Sequence, residues 1–293
     1  MKKLPILLAL LLLLCGCAPT PPVDIAATTL PIYQFTLRIT EGSGLTVTRL
    51  VTEEVSCLHD YTLTVSQMKA IERAQAVILS GAGLEDFLED ALSSAHTVID
   101  SSENIPLLEI EGHHHHEGDA PDRQEHHHEH DPHIWLSPVC AAQQAQNICA
   151  GLSAEYPEYS ALFQKNLESL LSDLQMLDDY GRAQLASLPH REILTFHDGF
   201  SYLADAFGLE IVEAIEEESG AEPSAKELIC LIEEVRLHDI SAIFVEANGS
   251  GSAASIIAAE TGASLGSLSM AMSGDDYFSA MYENIDSLKE ALQ

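Results

Sequence analysis

Residues 158–188 read EYSALFQKNLESLLSDLQMLDDYGRAQLASL. Their apolar side chains recur at Leu162, Phe163, Leu167, Leu170, Leu171, Leu174 and Leu177, which is one stripe of an α-helix. Pro157 and Pro189 bracket the stretch; proline is tolerated at a helix start but cannot continue a helix. At 1.5 Å per residue an unbroken helix here would be roughly 40 Å long, enough to run the length of a domain. Two shorter helices kinked at Gly181 are the alternative.

Outward from this stretch, both flanks alternate short β-prone runs with helical patterns, the signature of parallel sheets covered by helices. In the first half the strand candidates are residues 25–28, 45–51, 76–80 and 97–99, with helices over 66–73 and 84–92. In the second half they are residues 192–196, 210–214, 241–246 and 264–268, with helices near 200–207, 224–237, 253–260 and 276–292. The pattern predicts an α/β protein made of two halves. Residues 24–156 form a first lobe, 157–189 a linking helix, and 190–293 a second lobe.

At the start, Met1-Lys2-Lys3 leads into an apolar run from Leu4 to Leu14 and then Cys15-Gly16-Cys17. A basic start, a short apolar stretch and a small-residue exit make a secretory signal over residues 1–16. The run is too short for a spanning helix, which needs roughly 20 apolar residues. The cysteine after the small residue suits a lipobox, so Cys17 is expected to carry lipid and residues 17–23 to form a tether. An ordinary cleaved signal is the alternative.

Forty-six acidic against thirteen basic residues give a formal charge of −33, which argues against nucleic-acid binding. No GxxxxGK[ST] run is present, so the chain is not expected to hydrolyse ATP. Beyond Cys15 and Cys17, Cys57, Cys140, Cys149 and Cys230 are scattered, with no CxxC pair and hence no zinc ribbon. A bridge between Cys57 and Cys140 and a set of small buried thiols both remain open.

Residues 111–131 hold His113, His114, His115, His116, His126, His127, His128 and His130 among Glu, Asp, Gly and Pro, with almost no apolar anchor. Such composition predicts a loop that attracts metal weakly and repeatedly. Three further histidines have distinctive settings. His59 lies in SCLHDY, between a strand and a helix; His133 lies in DPHIWLSP, just before a helix; His197 lies in LTFHDGF, at the end of a strand. Open α/β sheets place ligand sites at such termini. Two such histidines from one half and one from the other point to a site in a cleft. Neutral imidazole binds Zn²⁺ at about 2.0–2.1 Å, and three protein ligands with one open position complete a tetrahedron. Manganese and magnesium favour oxygen donors, so three imidazoles tilt the site toward zinc.

The chain resembles the zinc-type, ZnuA-like solute-binding proteins of bacterial metal ABC importers. The likeness runs through His59-Asp60-Tyr61, Gly81-Ala82-Gly83-Leu84-Glu85, Asp131-Pro132-His133-Ile134-Trp135, the long helix, His197-Asp198-Gly199-Phe200, Phe244-Val245-Glu246 and Tyr282-Glu283-Asn284-Ile285. The resemblance implies two Rossmann-like lobes with parallel sheets, joined by one rigid helix with the metal between them. His59, His133 and His197 are then the ligands, beside a His-rich loop. It implies capture of Zn²⁺ for a permease, and the chain is expected to act as a monomer held by lipid at Cys17 to the outer face of the membrane. Relatives usually supply a carboxylate after the last strand, where this chain reads Ser269-Met270-Ala271-Met272. The fourth ligand is therefore open among Glu246, Asp275, Asp276 and water. Alternatives are a manganese-binding protein of the same importer class, a zinc-dependent hydrolase, or a surface metal buffer or adhesin with no importer. The hydrolase lacks an HExxH helix, and no enzymatic activity is expected.

Overall fold

A computed structural model describes residues 23–53, 58, 61–109, 130–215, 223–272 and 274–293. The signal and Cys17, His59, Cys57 and most of the His-rich loop lie outside these residues.

The first half contains strands β1 (Ile25–Ala27), β2 (Val47–Arg49), β3 (Ala76–Leu79) and β4 (Thr97–Asp100), parallel and ordered β2-β1-β3-β4. The second half repeats the arrangement with β5 (Glu192–Thr195), β6 (Glu210–Ala214), β7 (Ala242–Glu246) and β8 (Ser264–Leu268), ordered β6-β5-β7-β8. In both sheets the chain reverses its direction of winding beside the first strand, which opens a crevice beyond the carboxyl ends of the two central strands. In the first half this crevice is plugged. The Glu85 carboxylate is buried there and accepts hydrogen bonds from the Thr28 hydroxyl, Ser80 N–H and Gly81 N–H. Burial pushes its pKa up to about 7, against the opposing pull of those three donors. In the second half the crevice carries His197, two residues past β5, and Glu246, the last residue of β7.

The helices are α1 (Leu30–Thr40), α2 (Val65–Arg73), α3 (Glu89–Leu92), α4 (Pro138–Glu155), α5 (Ser160–Leu185), α6 (Ser201–Phe207), α7 (Ala225–Leu237), α8 (Ser252–Thr261) and α9 (Tyr277–Leu292). Helix α5 is the long one. Its 26 residues follow a single 3₁₀ turn over Pro157–Tyr159, so it is shorter at both ends than the stripe predicts. It runs unbroken through Gly181, which a Cβ would drive into the Phe207 ring; the kink is absent and the glycine serves close packing. Phe163, Leu167, Leu170, Leu174, Leu177 and Leu185 face a continuous core. The helix packs on α1 and α4 from the first half and on α6 and α9 from the second. Among the described residues no helix is long and apolar enough to cross a membrane.

The halves are also fastened by the segment between β8 and α9. Trp135 Nε1 donates to the Met270 carbonyl at 2.8 Å, and the Tyr277 hydroxyl donates to the Trp135 carbonyl at 2.8 Å. Gln34 brackets the start of α9, accepting from Tyr277 N–H at 2.9 Å and donating to the Asp275 carbonyl at 2.8 Å. Arg49 donates to the Met272 carbonyl at 3.1 Å. The donors and acceptors pair across a seam lined by the T-shaped Phe35 and Tyr277 rings.

Candidate metal centre

His133 stands at the start of a 3₁₀ turn over Ile134–Leu136 and is 3% exposed. Asp131 Oδ1 accepts from both the His133 backbone N–H and Nδ1, each at 2.8 Å. With the proton held on Nδ1 by the carboxylate, Nε2 is the nitrogen that presents its lone pair for a metal. Burial alone would lower the His133 pKa. The Asp131 carboxylate, aided by the charges of Asp198 and Glu246, outweighs burial and raises it.

His197 lies between β5 and a 3₁₀ turn over Asp198–Phe200 and is 1% exposed. Its Nδ1 is 3.4 Å from Asp198 Oδ1. The His133 and His197 rings, one from each half, have centroids 5.5 Å apart and are inclined at 77°. With Zn–N near 2.0–2.1 Å, two imidazoles on one tetrahedral ion have ring centres about 5 Å apart. The pair therefore has the spacing for a shared ion. Trp135 and Phe200 meet the two rings edge-on at 5.4 and 6.2 Å. Gly199 lies so close to His133 that a Cβ there would come within 2.8 Å of the imidazole. Glu246 is 5% exposed and near enough for its charge to act on His133.

The structure brings His133, His197 and Glu246 into one region. His59, His113, His114, His115, His116, His126, His127 and His128 lie outside the described residues. His130 is described and sits in an isolated antiparallel bridge with Glu109, at the base of the His-rich segment. Among the described residues no three or more His, Cys, Asp or Glu side chains form a group that could hold a metal by themselves. Asp276 is engaged elsewhere, its carboxylate capping α9 by accepting from Ser279 N–H and Oγ at 2.8 Å. Asp275 is exposed. Cys140, Cys149 and Cys230 carry free thiols. Sequence reasoning gave Asp131 no role, though an acid two residues before a candidate ligand was the available signal. Nothing in the sequence signalled Met270, whose methyl Cε would lie 2.6 Å from a Cβ at Gly199.

The family profile described as zinc-uptake complex component A, periplasmic, matches residues 25–291. The zinc-binding lipoprotein AdcA of Streptococcus pneumoniae serotype 4 is 31% identical over 307 residues, which cover 99% of this chain and 61% of that protein. The high-affinity zinc uptake system protein ZnuA of Bacillus subtilis is 30% identical over 282 residues, covering 92% of this chain and 88% of that one. The crystal structure of the Zn(II)-bound ZnuA-like domain of Streptococcus pneumoniae AdcA superposes with a TM-score of 0.76 at 27% identity, covering 93% of this chain and 99% of that domain. The chain spans 55% and 61% of the full length of the AdcA proteins from Streptococcus pyogenes and Streptococcus pneumoniae.

Proposed function

The chain belongs to the family of periplasmic zinc-uptake complex component A, and from that premise we propose that it captures Zn²⁺ outside the cytoplasm and delivers it to an ABC permease. The ion is cargo, and the protein is a binding protein and not an enzyme. His133 and His197 are two ligands and His59 the third, with Glu246 or water completing the shell. The observation that carries this reading is the 5.5 Å approach of two buried imidazoles from opposite halves of the molecule. The zinc named in the AdcA and ZnuA relatives agrees with it.

Residues 24–156 and 190–293 act as two lobes held by the helix within 157–189. Its packing on both halves limits how far they swing, so capture proceeds with small adjustments. The histidines of residues 111–131 collect ions weakly beside the cleft. The Leu-Cys-Gly-Cys run supports acylation of Cys17 and attachment to the outer face of the membrane, with the mature chain acting as a monomer.

Metal analysis of the protein purified from its own cells, with growth of a deletion strain under zinc limitation, tests the reading. One zinc per chain and slowed growth that added zinc restores are expected. Purification with stoichiometric manganese, or growth indifferent to zinc supply, would contradict it.

A further inference from the structure

The residues on either side of Met270 are held with unusual firmness for a loop. Ala271 is fully buried with φ of +51°, a left-handed conformation that costs an alanine energy and persists only where its surroundings impose it. The surroundings here are explicit. Ala271 N–H donates to Ser269 Oγ at 3.1 Å, the Met270 carbonyl accepts from Trp135 Nε1, and the Met272 carbonyl accepts from Arg49. Ser269 in turn is paired through both backbone groups with the Asn284 amide, at 2.7 and 2.8 Å. Arg49, Trp135 and Asn284, from three separate parts of the chain, thus fix the arch that aims one side chain, Met270, into the seam.

That side chain ends beside the histidine pair. A point one bond out from Gly199 Cα lies 2.6 Å from Met270 Cε and 2.8 Å from both Cε1 and Nδ1 of His133, so thioether and imidazole face each other across the hydrogen of a glycine. Met270 is 3% exposed, and Trp135 and Phe200 add further apolar surface around the same two rings. The β8–α9 segment therefore presents the Met270 methyl to the His133 imidazole, with no intervening side chain at Gly199.

We propose that Met270 sets the metal preference of this site: the fixed thioether denies the ion an oxygen donor from the β8–α9 arch, so that zinc is favoured over manganese. The inference rests on the reading of His133 and His197 as ligands. Its chemical basis is general. Mn²⁺ depends on carboxylate, carbonyl and water oxygens, whereas Zn²⁺ is well served by imidazole and tolerates sulfur. A buried apolar side chain beside the ligands also limits the waters that an oxygen-seeking ion would retain. Met270 is thus a specificity-determining residue, whether or not its sulfur touches the ion.

The test is a pair of chelator-competition titrations, with Zn²⁺ and with Mn²⁺, on the wild-type protein and the variants Met270→Asp, Met270→Gln and Met270→Leu. Gln is close to Met in length and adds a neutral oxygen, so it serves if the buried Asp prevents folding. Leu keeps the side chain apolar. The ratio of zinc to manganese affinity should fall at least tenfold in Met270→Asp and at least threefold in Met270→Gln, and stay within threefold of wild type in Met270→Leu. An unchanged ratio in a folded Gln variant that still binds zinc would overturn the proposal, as would an equal fall in the Leu variant. Failure of the wild-type protein to bind zinc would instead remove the reading of the ligands on which the proposal stands.

Discussion

The Tyr277 hydroxyl donates to the carbonyl oxygen of Trp135 at 2.8 Å, and both residues are fully buried, Tyr277 as the first residue of the last helix and Trp135 two positions past His133. The contact joins the end of the chain to the segment that carries a proposed ligand. Burial raises the phenol far above its ordinary pKa, so it remains a donor at any pH the protein meets.

Tyr277→Phe should therefore cost stability and leave the ligands in place. It strands a buried carbonyl, at about 1–3 kcal/mol. Denaturant unfolding should show that loss, with zinc affinity within about threefold because the Phe35 ring contact is retained. A variant as stable as wild type would mean that the seam is not closed by this bond.

Gly181→Ala sets two effects against each other. Helix propensity alone favours alanine by about 1 kcal/mol. Yet the added methyl meets the Phe207 ring, and overpacking a close contact costs about 1–3 kcal/mol. Net destabilisation by thermal or denaturant melting is the expected outcome, and a gain in stability would show that α5 and α6 are not in contact in solution.

Zinc capture should weaken in acid, because an imidazole must lose its proton to ligate. Burial lowers the His133 pKa, but Asp131 and the more distant Asp198 and Glu246 lift it above the ordinary value of about 6.5. Zinc thus competes with a proton held more firmly than by free imidazole, and affinity should already be falling as the pH drops toward 6.5. For the metal-free fold the sign is opposite. A raised folded-state pKa contributes stability that is complete below about 6.5 and is lost as pH rises through the folded value. Asp131→Asn removes the largest lifting charge and the acceptor that orients the ring. Titrations between pH 5 and 8 should find zinc affinity at neutral pH reduced about 10- to 100-fold, with the acid midpoint moved to lower pH. An unmoved midpoint would show that Asp131 does not govern the imidazole.

Much of the architecture was legible in the sequence because its signals are local. Among the described residues all eight strands lie where short β-prone runs were bounded by turns, and the α5 stripe was readable because leucines repeat through it. Helix α1 was missed. Its Ile32-Tyr33-Gln34-Phe35-Thr36 is rich in β-branched and aromatic residues, and the proline that starts it reads equally well as a break. Packing against α5 and β1 overrides that local preference. At the site, His133 and His197 announced themselves by their settings before helices. The Met270 arch did not, since it depends on an alanine in a left-handed conformation and on Trp135, 135 residues away. Sequence showed an acid missing after β8, and only the fold shows what stands in that part of the seam.

The central claim is that imidazoles from both halves of the chain hold one ion. Zinc titration of the wild-type protein beside His59→Ala, His133→Ala and His197→Ala, with circular dichroism to establish that each is folded, tests it most directly. One tight site per chain is expected in wild type, weakened at least a hundredfold in every variant. A tight site that survives intact in folded His133→Ala or His197→Ala would place the ion elsewhere and contradict the account.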